Sequence, residues 1–330
     1  MISKTPRITK LDIPRKYLIL LMDLFVEDVA RKIESMEIRG AHRIAQAAAK
    51  SLVQWAESSE EPINYLDANV KRLISTRPTA VSLRNALVFT LTGVDLSGDT
   101  REQREKIARQ GRDFVNYSNT AISKLSSLGA LHLKKDSIVM TICNSTAAVR
   151  TIIEADGNTG VSKVYSLETR PRRQGLITVK ELATAGVKVY LIVDNAARYF
   201  LDEVDVVLTG ADSVLADGSV ANKIGTSSLA AQADEFGIPV YTCSESYKFH
   251  PGSLLGEKLE IEERDSSEVW WGDVIEGVRV KNPSFDVTPP QHITAIFTEM
   301  GAVKPGQAKN IAQKILDKDT YNIFKNPSQR

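Results

Sequence analysis

The sequence predicts an α/β protein in which a helical N-terminal domain precedes a doubly wound, mostly parallel sheet domain. Three observations predict this class. Apolar side chains in the first 130 residues recur at spacings of three and four, which is the helical period. From residue 136 onward, short runs rich in Val, Ile and Leu alternate with helical segments, as in a parallel sheet covered on both faces. The length of 330 residues is enough for two such domains.

Four helical segments are predicted before the first strand. Apolar residues at helical spacing predict a helix over 14–35, and an Ala-rich segment running to Trp55 follows it. The next helix, over 63–75, must end there because Pro78 disfavours the helical conformation of the residue before it. A long helix over 101–128, charged at first and apolar later, completes this part of the chain.

The helical domain is expected to span residues 1–130, and the second domain, residues 131–330, is predicted to be Rossmann-like. Its strands are short apolar runs at 137–142, 163–167, 188–193, 206–209 and 239–242. Helices are predicted between them at about 145–156, 178–185, 195–200 and 223–236. Ligands of such sheets bind beyond the carboxyl ends of the strands, so the polar residues that follow each strand form the candidate site.

Composition and charge argue against several classes of protein. With 42 Lys and Arg against 41 Asp and Glu, the net charge is +1, so no charge excess is available to bind nucleic acid. The apolar stretch 17–26 is interrupted by Asp23 and is about half the roughly 20 residues that cross a bilayer, so no membrane association is expected. The two cysteines, Cys143 and Cys243, have no CxxC spacing and indicate a reducing, cytoplasmic location.

Cys143 and Asp212 are the residues best suited to proton transfer. Cys143 follows a predicted strand and precedes a predicted helix, whose dipole favours a thiolate. The alternative is an inert, buried cysteine, and position alone does not decide between the two. For Cys243 the inert interpretation is favoured. Asp212 follows another strand in the segment Gly-Ala-Asp at 210–212, and it is either a general acid or base or an ordinary turn residue.

Several cations are placed to bind phosphate. Asn222 and Lys223 are predicted to open a helix, whose free backbone amides suit an oxyanion. Arg39, Arg77 and Lys248 lie beside a glycine or in sharp turns, where phosphate contacts often occur, although a single cation of this kind is more often a surface charge than a ligand contact. The chain has no dinucleotide fingerprint, P-loop, HExxH or GxSxG pattern, and its four histidines include no close pair. Acid–base chemistry without a cofactor or metal is therefore expected.

Four motifs follow one another in an order that is found in one superfamily: Thr-Ile-Cys-Asn-Ser-Thr at 141–146, Glu-Thr-Arg-Pro at 168–171, Gly-Ala-Asp at 210–212 and Asn-Lys-Ile-Gly-Thr at 222–226. They resemble the motifs of methylthioribose-1-phosphate isomerases, ribose-1,5-bisphosphate isomerases and regulatory subunits of the eukaryotic translation-initiation exchange factor. The chain is most similar to the archaeal ribose-1,5-bisphosphate isomerases, through the segments 36–41, 76–83, 245–251 and 282–290. The resemblance extends over nearly the whole chain.

The resemblance implies roles for individual residues. Cys143 and Asp212 would be the catalytic pair, and the substrate would be bound by Arg39, Gly40, Ala41, His42, Arg77, Ser145, Thr146, Ala147, Asn222, Lys223 and Lys248. Two positions depart from the archaeal pattern. His42 stands where a glycine is expected, and Thr146 stands where a lysine is expected, which removes one phosphate-binding cation.

The resemblance implies the isomerisation of α-D-ribose 1,5-bisphosphate to D-ribulose 1,5-bisphosphate in nucleoside monophosphate salvage. It also implies a homodimer that assembles into a hexamer, and activation by AMP. The alternatives are a methylthioribose-1-phosphate isomerase, which needs an apolar pocket in place of a second phosphate site, and a regulatory subunit without catalysis. The chemistry requires one acid for the ring oxygen and one base for the C2 proton. Protonated Asp212 and the Cys143 thiolate fit these two roles.

Overall fold

The computed structural model describes residues 24–58, 63–94, 98–273 and 275–315. Helices precede the sheet, as the sequence predicts: α1 (Leu24–Glu34), α2 (Ala41–Ser58), α3 (Leu66–Thr76), α4 (Val81–Leu91) and α5 (Thr100–Ala130). The part of the predicted first helix at 14–23 lies outside the described residues. Asp99 caps α5, because its carboxylate accepts hydrogen bonds from the amides of Arg101 (2.8 Å) and Glu102 (3.0 Å).

These five helices share an apolar core, in which Leu52, Trp55, Leu73, Leu83 and Ile107 are completely buried. The sequence does not predict α4. Nine of its eleven residues are buried, so polar and apolar residues do not alternate along it with the helical period. The surrounding helices, rather than an amphipathic pattern of its own, therefore hold this segment in place.

The described residues contain ten strands, of which seven form the main sheet: β1 (Ser137–Thr141), β2 (Val161–Leu167), β3 (Val189–Ile192), β4 (Val206–Gly210), β7 (Val240–Cys243), β9 (Ala295–Thr298) and β10 (Gly301–Val303). Their order is β10-β9-β7-β4-β1-β2-β3, and every neighbouring pair is parallel except β10 with β9. All five predicted strands lie in this sheet, within two residues of their predicted bounds.

Helices cover both faces of the main sheet: α6 (Thr146–Thr159), α7 (Gly175–Thr184), α8 (Ala197–Phe200), α9 (Thr226–Glu235) and α10 (Ala308–Ile315) belong to this part of the chain. Successive strand residues point to opposite faces. Val139 belongs to one apolar cluster with Ile152 of α6, whereas its neighbour Met140 belongs to another with Leu229 of α9. The predicted doubly wound architecture is therefore confirmed. The end of α5 joins the first of these clusters through Leu125.

A second, antiparallel sheet consists of β5 (Ser213–Val214), β6 (Val220–Lys223) and β8 (Phe285–Thr288), in the order β5-β6-β8. It corrects one prediction: Asn222 and Lys223 do not open a helix but end β6, and α9 begins three residues after Lys223. The reason is a pairing with a distant segment, since Lys223 lies opposite Phe285 in the ladder. Among the described residues, no helix is both long and apolar enough to cross a membrane.

Candidate active site

The strand order of the main sheet reverses between β1 and β4. The chain continues from β1 to β2 and β3 on one side and to β4, β7 and β9 on the other, so the loops after β1 and β4 diverge and leave a crevice. Cys143 lies two residues beyond the end of β1, and Asp212 lies two residues beyond the end of β4. The two candidate proton-transfer residues therefore face one crevice from neighbouring strands.

The backbone of Cys143 is in the left-handed region, with φ of +69°. Its amide donates to the hydroxyl of Thr169 at 2.8 Å, and its carbonyl accepts from the hydroxyl of Thr178 at 2.7 Å. A residue with a side chain adopts this conformation only where its surroundings impose it. The two threonines thus hold the thiol in place between β1 and α6.

Gly210, the last residue of β4, allows the loop of Ser145 to approach the strand closely. A Cβ atom at Gly210 would lie 2.4 Å from Ser145 Oγ, so no larger residue fits without displacing that serine. Ser145 is the N-cap of α6, and its hydroxyl accepts a hydrogen bond from the amide of Ala148 at 3.3 Å. The glycine of the Gly-Ala-Asp motif therefore positions the start of α6 beside Asp212.

Burial controls the protonation of Cys143 and Asp212. Burial raises the pKa of the Cys143 thiol to about 11, although Lys223 lowers it, and the nearby Asp212 raises it further. Burial also raises the pKa of Asp212 above its ordinary value, against the opposing charges of Lys223 and Lys248. The expectation that position favours a Cys143 thiolate is therefore wrong. Removal from water outweighs the positive charges nearby and favours the neutral thiol.

Lys223 acts on both members of the pair. Its side chain is 8% exposed, and its ammonium lies 5.1 Å from the centre of the Phe285 ring. No carboxylate of the described residues forms an ion pair with Lys223. Thr226 connects the end of β6 to α9, because its hydroxyl accepts from the side-chain amide of Asn222 at 3.1 Å and donates to the backbone carbonyl of Lys223 at 2.6 Å. The lysine is therefore held in place with its charge directed to the cavity.

Glu245 is a completely buried carboxylate that the sequence analysis did not select, although it follows a predicted strand. Its Oε2 lies 2.6 Å from the ammonium of Lys248, and its Oε1 accepts from the Tyr247 hydroxyl at 2.9 Å. Because that hydroxyl donates to Glu245, it accepts from Nδ1 of His42, which is 2.8 Å away. Burial alone would raise the pKa of Glu245, but Lys248 and His42 outweigh it and hold the pKa at about 2.

A chain of ion pairs borders the same cavity. Arg77 lies 2.8 Å from Glu262, which also pairs with Arg264 at 3.1 Å. Arg264 in turn lies 2.6 Å from Glu268, and Glu268 lies 2.8 Å from Arg172. Arginines from the helical part, from the segment before β8 and from the loop after β2 are thus connected at one site.

All thirteen residues predicted for the site line one cavity: Arg39, Gly40, Ala41, His42, Arg77, Cys143, Ser145, Thr146, Ala147, Asp212, Asn222, Lys223 and Lys248. The structure adds lining residues that the sequence analysis did not select, among them Arg43, Arg172, Gln174, Ser213, Glu245, Glu260, Arg264 and Ser284. Cys243 lies elsewhere. It is completely buried in the apolar core, where burial raises the pKa of its thiol to about 12.

The cavity is positive. Seven lysine and arginine side chains line it against three carboxylates, and Glu262 and Glu268, which pair with three of those arginines, reduce the excess to two positive charges, in a chain whose net charge is +1. The positive charge is therefore concentrated at this site, where it suits an anionic ligand with more than one charge. Within the described residues, no group of three or more His, Cys, Asp or Glu side chains is arranged to hold a metal ion.

The family model described as the initiation factor 2 subunit family matches residues 37–305 of the chain. The chain belongs to this family. It is 45% identical to the ribose 1,5-bisphosphate isomerase of Archaeoglobus fulgidus, over 86% of this chain and 91% of that protein.

Two solved structures, both from Pyrococcus horikoshii OT3, share the fold of this chain. The 5-methylthioribose 1-phosphate isomerase is 31% identical, with a TM-score of 0.73, over 88% of this chain and 87% of the other. The translation initiation factor eIF-2B is 27% identical, with a TM-score of 0.74, over 87% of this chain and 99% of the other. Because the chain is 45% identical to a ribose 1,5-bisphosphate isomerase, it is an enzyme of the isomerase class.

Proposed function

We propose that the chain converts α-D-ribose 1,5-bisphosphate into D-ribulose 1,5-bisphosphate, with Cys143 and Asp212 transferring the protons. The observation that carries this proposal is the thiol and carboxyl pair at the reversal point of the sheet, in a cavity where lysine and arginine side chains outnumber the carboxylates. A sugar with two phosphate groups matches that charge. The name of the 45% identical Archaeoglobus fulgidus relative supports the same substrate.

The reaction removes two protons from the sugar and returns two. Cys143 as thiolate takes the proton from C2, the electron pair forms the C1=C2 double bond, and the bond between C1 and the ring oxygen breaks. Asp212 gives its proton to the ring oxygen, which becomes the C4 hydroxyl. Asp212 then takes the proton of the C2 hydroxyl, which becomes the ketone, and the Cys143 thiol returns its proton to C1. Both side chains end as they began.

The reactive form of the pair is a thiolate beside a carboxylic acid. It carries the same total charge as a thiol beside a carboxylate, so it forms by moving one proton within the cavity. Burial raises the pKa of both Cys143 and Asp212, which disfavours a state in which both are ionised. Lys223 favours the charged form of either group, so it stabilises the pair in both arrangements and the negative charge of the enol phosphate as well.

Cations from both parts of the chain support the assignment of a bisphosphate. Arg39 and Arg77 come from the helical part, whereas Lys223 and Lys248 come from the sheet part, and all four line the cavity. Two phosphate groups at opposite ends of a ribose need cations in two places. Charge-assisted hydrogen bonds from arginine and lysine are the strong contacts that proteins use for such groups.

Methylthioribose 1-phosphate is a second candidate substrate. The apolar side chains of Met36, Ile177 and Leu259 line the same cavity, where they would contact a methylthio group. Thr146, in place of a lysine, also suits a substrate with less charge. The third alternative is a regulatory subunit that binds a sugar phosphate or nucleotide without converting it.

One experiment distinguishes these three functions. Purified protein is assayed with α-ribose 1,5-bisphosphate and with methylthioribose 1-phosphate, beside Cys143→Ser and Asp212→Asn. We expect conversion of the bisphosphate, and a loss of about 1,000-fold or more in kcat for each variant, because each loses one of the two proton-transfer groups. Conversion of methylthioribose 1-phosphate alone would establish the second candidate, and conversion of neither would support the regulatory subunit. Full activity in a variant would remove that residue from the mechanism.

The family resemblance extends the proposal in three respects. The enzyme would act in nucleoside monophosphate salvage without a cofactor, AMP would activate it, and homodimers would assemble into a hexamer. The same assay with and without AMP tests the activation, and light scattering of the purified protein tests the assembly. A rate independent of AMP, or a monomer in solution, would contradict the respective extension.

A further inference from the structure

Two serine hydroxyls in the wall of the cavity have no function in the mechanism above. Ser213 is 3% exposed and Ser284 is 2% exposed, and both residues line the cavity. The Oγ atom of each is closed off from solvent and has no hydrogen-bond partner among the described residues. Ser213 directly follows the catalytic Asp212, and Ser284 directly precedes Phe285.

The antiparallel sheet places one of these hydroxyls on the face that carries Lys223. Ser213 lies opposite Ala221 in the ladder, and Lys223 lies opposite Phe285. Residues opposite each other share a face of a sheet, as do residues two apart along one strand. Ser213, Ala221, Lys223 and Phe285 therefore share one face, and all four line the cavity. Ser284 directly precedes β8, where its carbonyl accepts from the amide of Ile224 at 3.1 Å, and it lines the cavity from beside this face.

A buried hydroxyl without a partner destabilises a folded protein, because it has given up its hydrogen bonds to water. A rotation about χ1 would turn such a hydroxyl at the wall of a binding cavity towards a ligand in the cavity, which would supply the missing partner. The cations of the site are suited to the phosphates, whereas a serine hydroxyl, which both donates and accepts, is suited to a neutral sugar hydroxyl.

We infer that Ser213 and Ser284 bind the C2 and C3 hydroxyl groups of the sugar and hold the C2 proton in reach of Cys143. The inference rests on the proposed function and adds the residues that recognise the ribose itself. It predicts that the residues that select against sugars lacking a hydroxyl lie at the antiparallel sheet and are distinct from the phosphate-binding residues.

Ser166 on β2 is a matched control. It is completely buried, and its Oγ also has no partner among the described residues, but it does not line the cavity. Replacing any of the three serines by alanine removes a buried hydroxyl without a partner. The three variants are therefore expected to melt at the wild-type temperature or above, while only two of them lose contacts to the substrate.

The test measures kcat/KM for ribose 1,5-bisphosphate in the wild type and in Ser213→Ala, Ser284→Ala and Ser166→Ala. We expect a decrease of about 3- to 15-fold for each of the first two, the effect of one lost neutral hydrogen bond, and less than twofold for the control. With 3-deoxyribose 1,5-bisphosphate as substrate, the kcat/KM of the wild type should be lower than with ribose 1,5-bisphosphate. The decrease should be smaller in the variant that has already lost the contact to the C3 hydroxyl.

Three outcomes would overturn the inference. The first is a kcat/KM within twofold of the wild type in both cavity variants. The second is an equal penalty for the 3-deoxy sugar in all four proteins, which would mean that neither serine binds the C3 hydroxyl. The third is a wild type that does not convert the bisphosphate. This outcome contradicts the proposed function itself, and the wild-type measurement alone reveals it, whatever the serine variants do.

Discussion

The ammonium of Lys248 lies 2.6 Å from Oε2 of Glu245, and the two side chains are 6% and 0% exposed. This buried pair holds the Lys248 cation in place at the wall of the cavity. Through Tyr247, the same carboxylate holds His42, which belongs to the other part of the chain. A single negative charge thus holds two cavity-lining residues that are separated by about 200 positions in the sequence.

The stability of the protein in acid is expected to depend on Glu245. Its pKa is about 2 in the folded protein, below the ordinary value of 4.5, so its charged form stabilises the fold. That contribution is complete above about pH 4.5 and is lost as the pH falls from there towards about 2. Urea unfolding at pH 6 and pH 3.5 should show a larger loss of unfolding free energy in the wild type than in Glu245→Gln. Equal losses in both proteins would contradict the depressed pKa.

The Cys143 thiol is expected to react slowly with iodoacetamide at neutral pH. Burial raises its pKa to about 11, so its thiolate fraction at neutral pH is far lower than that of an ordinary cysteine. Modification followed by mass spectrometry should accelerate as the pH rises, and Cys243, which is completely buried, should remain unmodified until the protein unfolds. Rapid modification of Cys143 at pH 7 would instead support the thiolate that its position before α6 predicts.

Lys223→Gln is expected to lower kcat by about 100-fold or more, since one buried charge is removed from the site of reaction. Without this cation the pKa values of Cys143 and Asp212 should both rise further, because Lys223 lowers each of them in the wild type. Alkylation of Cys143 should accordingly require a still higher pH in the variant. The control is Lys281→Gln, at a side chain that is 80% exposed. Unchanged turnover and alkylation in Lys223→Gln would show that the charge does not act on the pair.

Gly210→Ala is expected to destabilise the protein by about 1–3 kcal/mol, the usual effect of inserting a methyl group into a closely packed site. The added Cβ would lie 2.4 Å from Ser145 Oγ and would displace the cap of α6, so activity should fall as well. Gly157→Ala in α6 is the matched control. Nothing lies within 4 Å of its added Cβ, and alanine in a helix should stabilise by about 0.5–1 kcal/mol. Thermal or urea unfolding of the two variants distinguishes the effects, and a Gly210→Ala protein as stable as the wild type would contradict the close approach.

Much of the fold could be predicted because it depends on patterns within single segments. Five of the six parallel strands are nearly continuous apolar runs, and α5 shows a long helical period, so each of these is located within two residues. Elements that depend on a distant partner could not be located in this way. β6 pairs with β8, more than 60 residues later, and α4 is buried on nearly every side, so neither shows a period of its own.

The residues of the candidate site likewise fall into those that the sequence alone identifies and those that only the folded structure brings together. Cys143 and Asp212 could be selected because each follows an apolar strand, and the rule that ligands bind at strand ends needs no coordinates. Glu245 also follows a strand, but nothing in its sequence neighbourhood indicates that it lies between Lys248 and the Tyr247–His42 contact. Ser213 and Ser284 likewise are ordinary polar residues until the antiparallel sheet places them at the cavity.

The order of apolar runs, the residues that follow them and the motifs of a known family are properties of the chain alone, and they were sufficient to predict a doubly wound sheet and the residues that line its crevice. The charge states of those residues were decided by the tertiary structure. Position before a helix favours a Cys143 thiolate, yet burial raises the pKa of the thiol to about 11, whereas Glu245, which is also buried, stays ionised because Lys248 lies beside it. The physical reason is that desolvation and the distance between charges depend on segments far apart in the sequence, and these come together only in the folded protein.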